Sequence, residues 1–309
     1  GLPVSNLDPR TFQLFNFGAE VAIRVEGEDD GAFDESDFIL FYAEAVNTKY
    51  TGENVYWLTY GSTQGARMST LDGTPTVSDG PISFQRRKHI ENNLFYIYQT
   101  PGDDRLDRWM GEVLNGAGNP VTYSINLVSP TTGQAKIKFS VMGYNDNSHQ
   151  IQVKVNNVSV GSFQFAGRTY QTFETDVSGE LLIPGQNKVE FRDSMSGSLV
   201  IIDWIELSYQ SGFSAEQGQL KFEQSTPGTQ KFHVDRFPTG SILVFDVSEP
   251  NEVKQIEGGE ISETGGFFEV AFQDEIESSK TYFLAENSTI KTVKSIELDE
   301  ASDLSSSAN

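Results

Sequence analysis

The clearest pattern in the chain is Gln150-Ile151-Gln152-Val153-Lys154-Val155, where every second side chain is apolar. A period of two puts the apolar set on one face and the polar set on the other, which predicts a half-buried β-strand. The stretches VTYSINLVS, AKIKFSVMGY, HQIQVKVNNVSVGSFQFA, YQTFETDVS, NKVEFRD and LVIIDWIELSY read the same way, with turn residues between them. Asn156-Asn157 is a hairpin signal. Short strands at regular spacing predict an antiparallel β-sandwich over residues 119–209.

Upstream, TFQLFNFG, EVAIRVE, DFILFYAEAV and NVYWLTYG predict strands of an N-terminal β domain over residues 1–118. Within it, ILFY is a continuous apolar run, as in a strand buried on both faces. DRLDRWMGEVL predicts one short helix. Downstream, KFEQ, QKFHVDRF, SILVFDVS, EVKQIEGG, GGFFEVAFQD and KTYFLAEN predict a small C-terminal β domain over residues 210–298, then a Ser-rich linker over 299–309. The expected fold class is all-β and multidomain. PGQN before a strand and the closing strand LVIIDWIELSY resemble jelly-roll, galactose-binding-like sandwiches common in carbohydrate-binding modules.

Composition narrows the function. The chain has 309 residues, enough for two or three domains, and 44 acidic against 22 basic residues give a net charge of −22. Such a surface repels nucleic-acid phosphates and anionic membranes, so neither is an expected partner. The one dense basic cluster, Arg86, Arg87 and Lys88, reads as a solvated face or as an intramolecular partner for acidic loops. With no cysteine, disulfides, Cys-zinc sites and a cysteine nucleophile in this chain are excluded. No apolar run approaches the ~18 residues of a membrane span. The first residue is not Met and there is no signal-peptide pattern, so the sequence is expected to be a processed or cloned piece of something larger.

Candidate chemistry sits in two loops. Glu26, Glu28, Asp30, Asp34 and Asp37 fall at positions 1, 3, 5, 9 and 12 of an EF-hand-like frame, with Gly31 at position 6. Alternating oxygen ligands around a tight turn suit Ca²⁺, so a structural Ca²⁺ is the cofactor expectation. The frame has Glu at positions 1 and 3, Asp at 12 and no flanking helices, and a solvated acidic turn is the alternative. In the sandwich, Tyr144, Asn145, Asp146 and Asn147 share one loop and Tyr170 lies in another. Aromatic faces stack on sugars while amides and carboxylates bond hydroxyls, which makes these residues the candidate glycan site; a plain surface turn is the alternative. For Trp204, beside Ile201, Ile202 and Ile205, core packing is favoured. His89, His149 and His233 are the only histidines, one per block, and no hydrolase motif accompanies them, so this chain is not expected to be an enzyme by itself.

One longer stretch carries a family resemblance. Gly18, Asp30, Gly31, Phe33, Asp37, Phe41, Tyr42, Tyr50, Asn54, Tyr56, Trp57, Leu58 and Gly61 in FNFGAEVAIRVEGEDDGAFDESDFILFYAEAVNTKYTGENVYWLTYG match a pattern. That pattern resembles the region upstream of the catalytic domain in gingipain-like cysteine peptidases, peptidase family C25. Glu91, Asn93 and Tyr96, then Asp107, Arg108 and Trp109, match it loosely further on. The resemblance implies a non-catalytic N-terminal accessory or pro-region of a secreted, extracellular or cell-surface endopeptidase. A caspase-like domain with a His–Cys dyad would follow the linker. The segment would position, chaperone, inhibit or supply binding contacts to that domain. The rival readings are a carbohydrate-binding module of an extracellular enzyme and a structural or adhesive β array.

Overall fold

The computed structural model describes residues 7–46, 51–98, 108–116 and 118–299. The N-terminal strands are β1 (Phe12–Asn16), β2 (Ala19–Val21), β3 (Arg24–Glu26), β4 (Phe38–Leu40), β5 (Trp57–Tyr60) and β6 (Ser69–Asp72). Next come β7 (Phe84–Glu91), β8 (Phe95–Tyr96), β9 (Trp109–Met110) and β10 (Val113–Asn115). The sandwich strands are β11 (Val121–Leu127), β12 (Gln134–Gly143), β13 (Ser148–Val155), β14 (Val158–Ala166), β15 (Tyr170–Ser178), β16 (Gly185–Asp193) and β17 (Leu199–Ser211). The C-terminal strands are β18 (Gln219–Gln224), β19 (Gly228–Phe237), β20 (Ile242–Asp246), β21 (Lys254–Glu257), β22 (Glu260–Thr264), β23 (Phe267–Ile276) and β24 (Lys280–Glu286). The protein is all-β, as its alternation dictates.

The sandwich packs the sheet β11-β16-β13-β14 against a second sheet running β10-β17-β12-β15, with β7 also on β17. Ile151, Val153 and Val155, the apolar half of the alternating run, are fully buried with Phe139, Phe191 and Ile205. Phe139 touches Phe191 and Phe163 edge-on at 5.0 and 5.2 Å. Each buried phenylalanine contributes about 2–3 kcal/mol of transfer energy, so this ring cluster defines the fold. Asn156 and Asn157 both have positive φ, 47° and 71°, the geometry of a type I′ hairpin turn. Asn187 of PGQN is wholly buried. Its amide donates to the Ile183 and Gly185 carbonyls, while its oxygen accepts from Asn156 and the Ile183 N–H.

The C-terminal block packs β18-β24-β20-β21-β6 against β19-β23-β22. Its core is aromatic, with Phe222, Phe232, Phe272 and Tyr282 in mutual ring contact. The N-terminal sheet β2-β1-β5 is small, with Phe12, Leu14, Val21 and Ile23 buried beneath it. ILFY does face two interiors: Ile39 and Phe41 pack on that N-terminal cluster, whereas Leu40 and Tyr42 pack with Phe245 and Val253 of the C-terminal block.

Strand pairing runs across the sequence boundaries. β6 lies parallel to β21, from Ser69↔Lys254 to Asp72↔Glu257. β7 pairs with β17 from Phe84↔Ser211 to Glu91↔Trp204. Phe84, at the start of β7, turns into the C-terminal core. One stretch, residues 69–91, thereby stitches all three blocks together.

Two expectations are corrected. The segment expected as a short helix forms β9 and β10 where described, its first residues lying outside the described set. The Gly111 N–H donates to the Ile202 carbonyl, the Ile202 N–H donates to the Glu112 carbonyl, and Met110 is fully buried. Pairing of β9 with β8 and of β10 with β17 therefore overrides local helix propensity, which glycine already weakens. Trp204 does not enter the core. Ser140 opposes Trp204 while Val141 opposes Ile202, so Asp203 is an extra residue on β17. Such a bulge resets the in–out alternation and turns Trp204 outward, half-buried.

Candidate functional site

The acidic loop opens at Gly27, whose φ is 89°, forms a single 3-10 turn over Glu28–Asp30, and closes at Gly31, whose φ is 78°. Both glycines supply a left-handed conformation that L side chains resist. A Cβ on Gly27 would also lie 1.8 Å from Asp37 Oδ1, so Asp37 closes directly over the turn. The carboxylates then separate to different partners. Glu26 accepts from Arg24 at 2.6 Å, and Glu28 accepts from Arg67 at 2.8 Å in a half-buried pair. Asp30 accepts from the Ala32 N–H, and Asp37 from the Asp34 N–H. Asp34 accepts from the Ser36 hydroxyl and N–H, which hold its carboxyl below the usual range. Among the described residues, no group of three or more His, Cys, Asp or Glu side chains is arranged to hold a metal ion. The loop as folded is a set of Asx turns and ion pairs.

At one end of the sandwich, the 144–147 loop meets the 194–198 loop. Asn145 and Asn147 both donate to the Gly197 carbonyl, at 2.8 and 2.7 Å. Asp146 reaches Arg168 at 3.6 Å. Tyr144 keeps 47% of its surface exposed and is the available aromatic face of this loop. Beneath it lies a buried network that the sequence did not single out. His149 Nδ1 stands 2.6 Å from Ser198 Oγ, Ser198 donates to Asp193, and His149 Nε2 donates to the Gly167 carbonyl. Asp193 also accepts from the Met195 N–H. The serine sits between imidazole and carboxylate, with the hydroxyl wholly buried, which is not the serine–histidine–acid order of a nucleophilic triad. The network fastens three loops at the base of Tyr144.

Tyr170 belongs to a different environment. Its ring packs with Met110, Met142 and Ile201. Its hydroxyl donates to the buried Asp203. Burial first, and then this carboxylate, push the phenol above its ordinary value. Tyr144 and Tyr170 thus differ in environment: Tyr144 is exposed, while Tyr170 is half-buried with its hydroxyl bonded inward. The outer face of β17 instead presents Trp204, with the His89 ring at 5.6 Å and Lys138 Nζ at 6.0 Å. The basic cluster is bound intramolecularly. Lys88 pairs with Glu216 at 2.6 Å, and Arg86 donates to the Ser214 carbonyl and lies 3.5 Å from Glu216. Asp193, Ser198 and Asp203 are missed by sequence reasoning because isolated acids and serines abound; the only local signal is an Asp inside the otherwise apolar run LVIIDWIEL.

No helix among the described residues is long and apolar enough to cross a membrane. No protein-family model matches the chain, and no curated protein matches its sequence. Solved structures do match its fold. Dimeric latent PorU from Porphyromonas gingivalis is similar over 91% of this chain, with a TM-score of 0.65 and 13% identity. The chain spans 30% of the length of that protein. A CBM36 carbohydrate-binding module in complex with calcium and xylotriose aligns with 39% of this chain and 98% of its own, with a TM-score of 0.29 and 20% identity. The CBM6 of a Zobellia galactanivorans laminarinase aligns with 40% of this chain and 99% of its own, with a TM-score of 0.28 and 18% identity. The architecture is an interlocked β array built around a two-sheet sandwich, and over 91% of the chain its fold is similar to part of PorU.

Proposed function

We propose that this chain is a non-catalytic accessory region of a longer, secreted, gingipain-like cysteine peptidase of the C25 type, which holds a downstream catalytic domain in place. The observation that carries the reading is the chain-wide likeness to PorU, which extends over the flanking blocks as well as the sandwich. The match to the C25 pattern between Gly18 and Gly61 supports it from the sequence side. The internal stitching supports positioning as the task, because strands paired across blocks make a stiff base on which another domain can be carried. An extracellular or cell-surface location follows from this reading.

The test is to express the reading frame extended beyond Asn309, the present segment alone, and the extension alone, and to assay peptide cleavage by each. The segment alone is expected to be inert and the joined protein active, with the extension alone poorly folded or displaced in activity. An extension without a His–Cys dyad, or one that folds and cleaves equally well by itself, overturns the proposal.

The exposed Tyr144, among Asn145, Asp146 and Asn147, favours a second reading, glycan binding by the sandwich. A glycan array decides it: retention abolished by Tyr144→Ala supports it, and absence of any retention removes it.

A further inference from the structure

In the C-terminal block, three side chains converge between its two sheets. Lys280, the first residue of β24, places Nζ 2.6 Å from Asp274 Oδ2 on β23 and 3.5 Å from Asp246 Oδ2 on β20. Their side chains are only 20%, 11% and 6% exposed. The Tyr282 hydroxyl donates to the same Asp274 oxygen at 2.9 Å. Tyr282 is itself fully buried, with Phe222 and Phe232 at 5.1 Å and Phe272 at 5.7 Å. The second oxygen of Asp246 is fixed separately by the Ser248 N–H at 3.0 Å and by the Ser248 hydroxyl.

We propose that Lys280 and Asp274 are a site of self-modification and condense to an intramolecular isopeptide bond, with Asp246 as the proton carrier. Two features point this way. The amine and the carboxyl are held in contact by rigid strands; the carboxyl carbon lies one bond beyond the oxygen, near attack distances of roughly 3–3.5 Å. A second carboxylate touches the same nitrogen, where a general base is required.

The step balances without any co-reactant. The ammonium passes one proton to Asp274, giving amine and carboxylic acid. Nζ bonds to Cγ of Asp274, and Asp246 takes a second proton from the nitrogen. Asp246 then gives that proton to the departing hydroxyl, which leaves as water. One C–O bond breaks, one C–N bond forms, and Asp246 is regenerated. The product links the sheet of β23 to the sheet of β24, in a chain whose lack of cysteine denies it a disulfide there.

Intact-mass spectrometry of the purified full chain tests this directly. The expected mass is about 18 Da, one water, below the sequence value. Trypsin is expected to fail after Lys280, leaving a 255–291 peptide lighter by the same amount. Lys280→Arg, which keeps the positive charge, and Asp246→Asn are each expected to restore the full mass, with circular dichroism confirming that both fold. Full mass and normal cleavage after Lys280 in the unaltered protein overturn the proposal and leave an ion pair. A deficit that persists in Lys280→Arg overturns it too, since the water was then lost elsewhere.

Discussion

Phe84→Ala is the sharpest test of the stitching. Phe84 begins a strand that belongs to the sandwich sheet, yet its ring is buried in the C-terminal core. It stacks on Phe213 at 5.1 Å and tilts against Phe222 at 5.6 Å, and the Arg86 guanidinium lies 5.1 Å from its centroid. Truncating a buried phenylalanine costs about 3–5 kcal/mol in lost transfer energy plus cavity. The population of opened forms should therefore rise by roughly three orders of magnitude, since each 1.4 kcal/mol is a factor of ten. If residues 69–91 couple the blocks, that loss is shared. Hydrogen exchange read by mass spectrometry should show protection falling in parallel in β7, in β17 and in β18 and β19. Full protection retained across the sandwich, with only the C-terminal strands loosened, would refute the coupling and with it the argument for a stiff base.

Four further outcomes follow from individual sites. Asn187→Ala leaves the buried N–H and carbonyl groups of the 183–187 turn without their partner and should cost about 2–4 kcal/mol in urea unfolding, at the upper end for one lost polar side chain; a loss below 0.5 kcal/mol would mean that water replaces it. Tyr123 and Tyr282 have phenols raised by burial and then by Glu112 and Asp274 respectively, so folding holds their protons; stability is fully present below the ordinary tyrosine value near ~10 and is lost above it, by up to about 3 kcal/mol per pH unit for the pair. Thermal melts with parallel tyrosine absorbance check this, and ionisation of both phenols without destabilisation would contradict it. Because Arg24 and Arg67 already occupy Glu26 and Glu28, excess Ca²⁺ or EDTA should move the melting temperature by less than about 1 °C; a rise of several degrees that disappears in Asp34→Asn would restore the loop as a metal site. Tyr144→Ala should leave stability within about 0.5 kcal/mol, as for an exposed surface residue, so that any lost glycan retention reports binding alone.

What the sequence discloses and what it conceals divide along a physical line. Ile151, Val153 and Val155 announce their burial through period two because each strand must satisfy one core and one solvent face. Asn156-Asn157 announces its turn because few residues tolerate two consecutive positive φ angles. The acidic loop is legible as a turn, through Gly31, but not as to where its carboxylates point, since Arg24 and Arg67 carry no local signal until β3 and the 65–68 segment fold beside it. Tyr144 and Tyr170 looked equivalent because aromatic content is local, whereas what separates them is Asp203, displaced by a bulge that no periodicity marks.

The same bulge shows why the outward face of β17 could not be read from alternation. One extra residue on β17 keeps Ile202, Ile205 and Leu207 in the core while sending Trp204 outward beside His89, a neighbour more than a hundred residues earlier in the chain. Long-range pairing of this kind also decided β10, where the ladder with β17 outweighed local helix character, and β6, whose parallel partner lies in the last block. Parallel pairing needs a long connection, and here the whole sandwich lies within it. The sandwich is therefore an insertion between strands that belong to one sheet. Phe84, on a strand of the sandwich sheet but with its ring in the C-terminal core, ties that insertion to its host, so the blocks are coupled and not a string of independent modules.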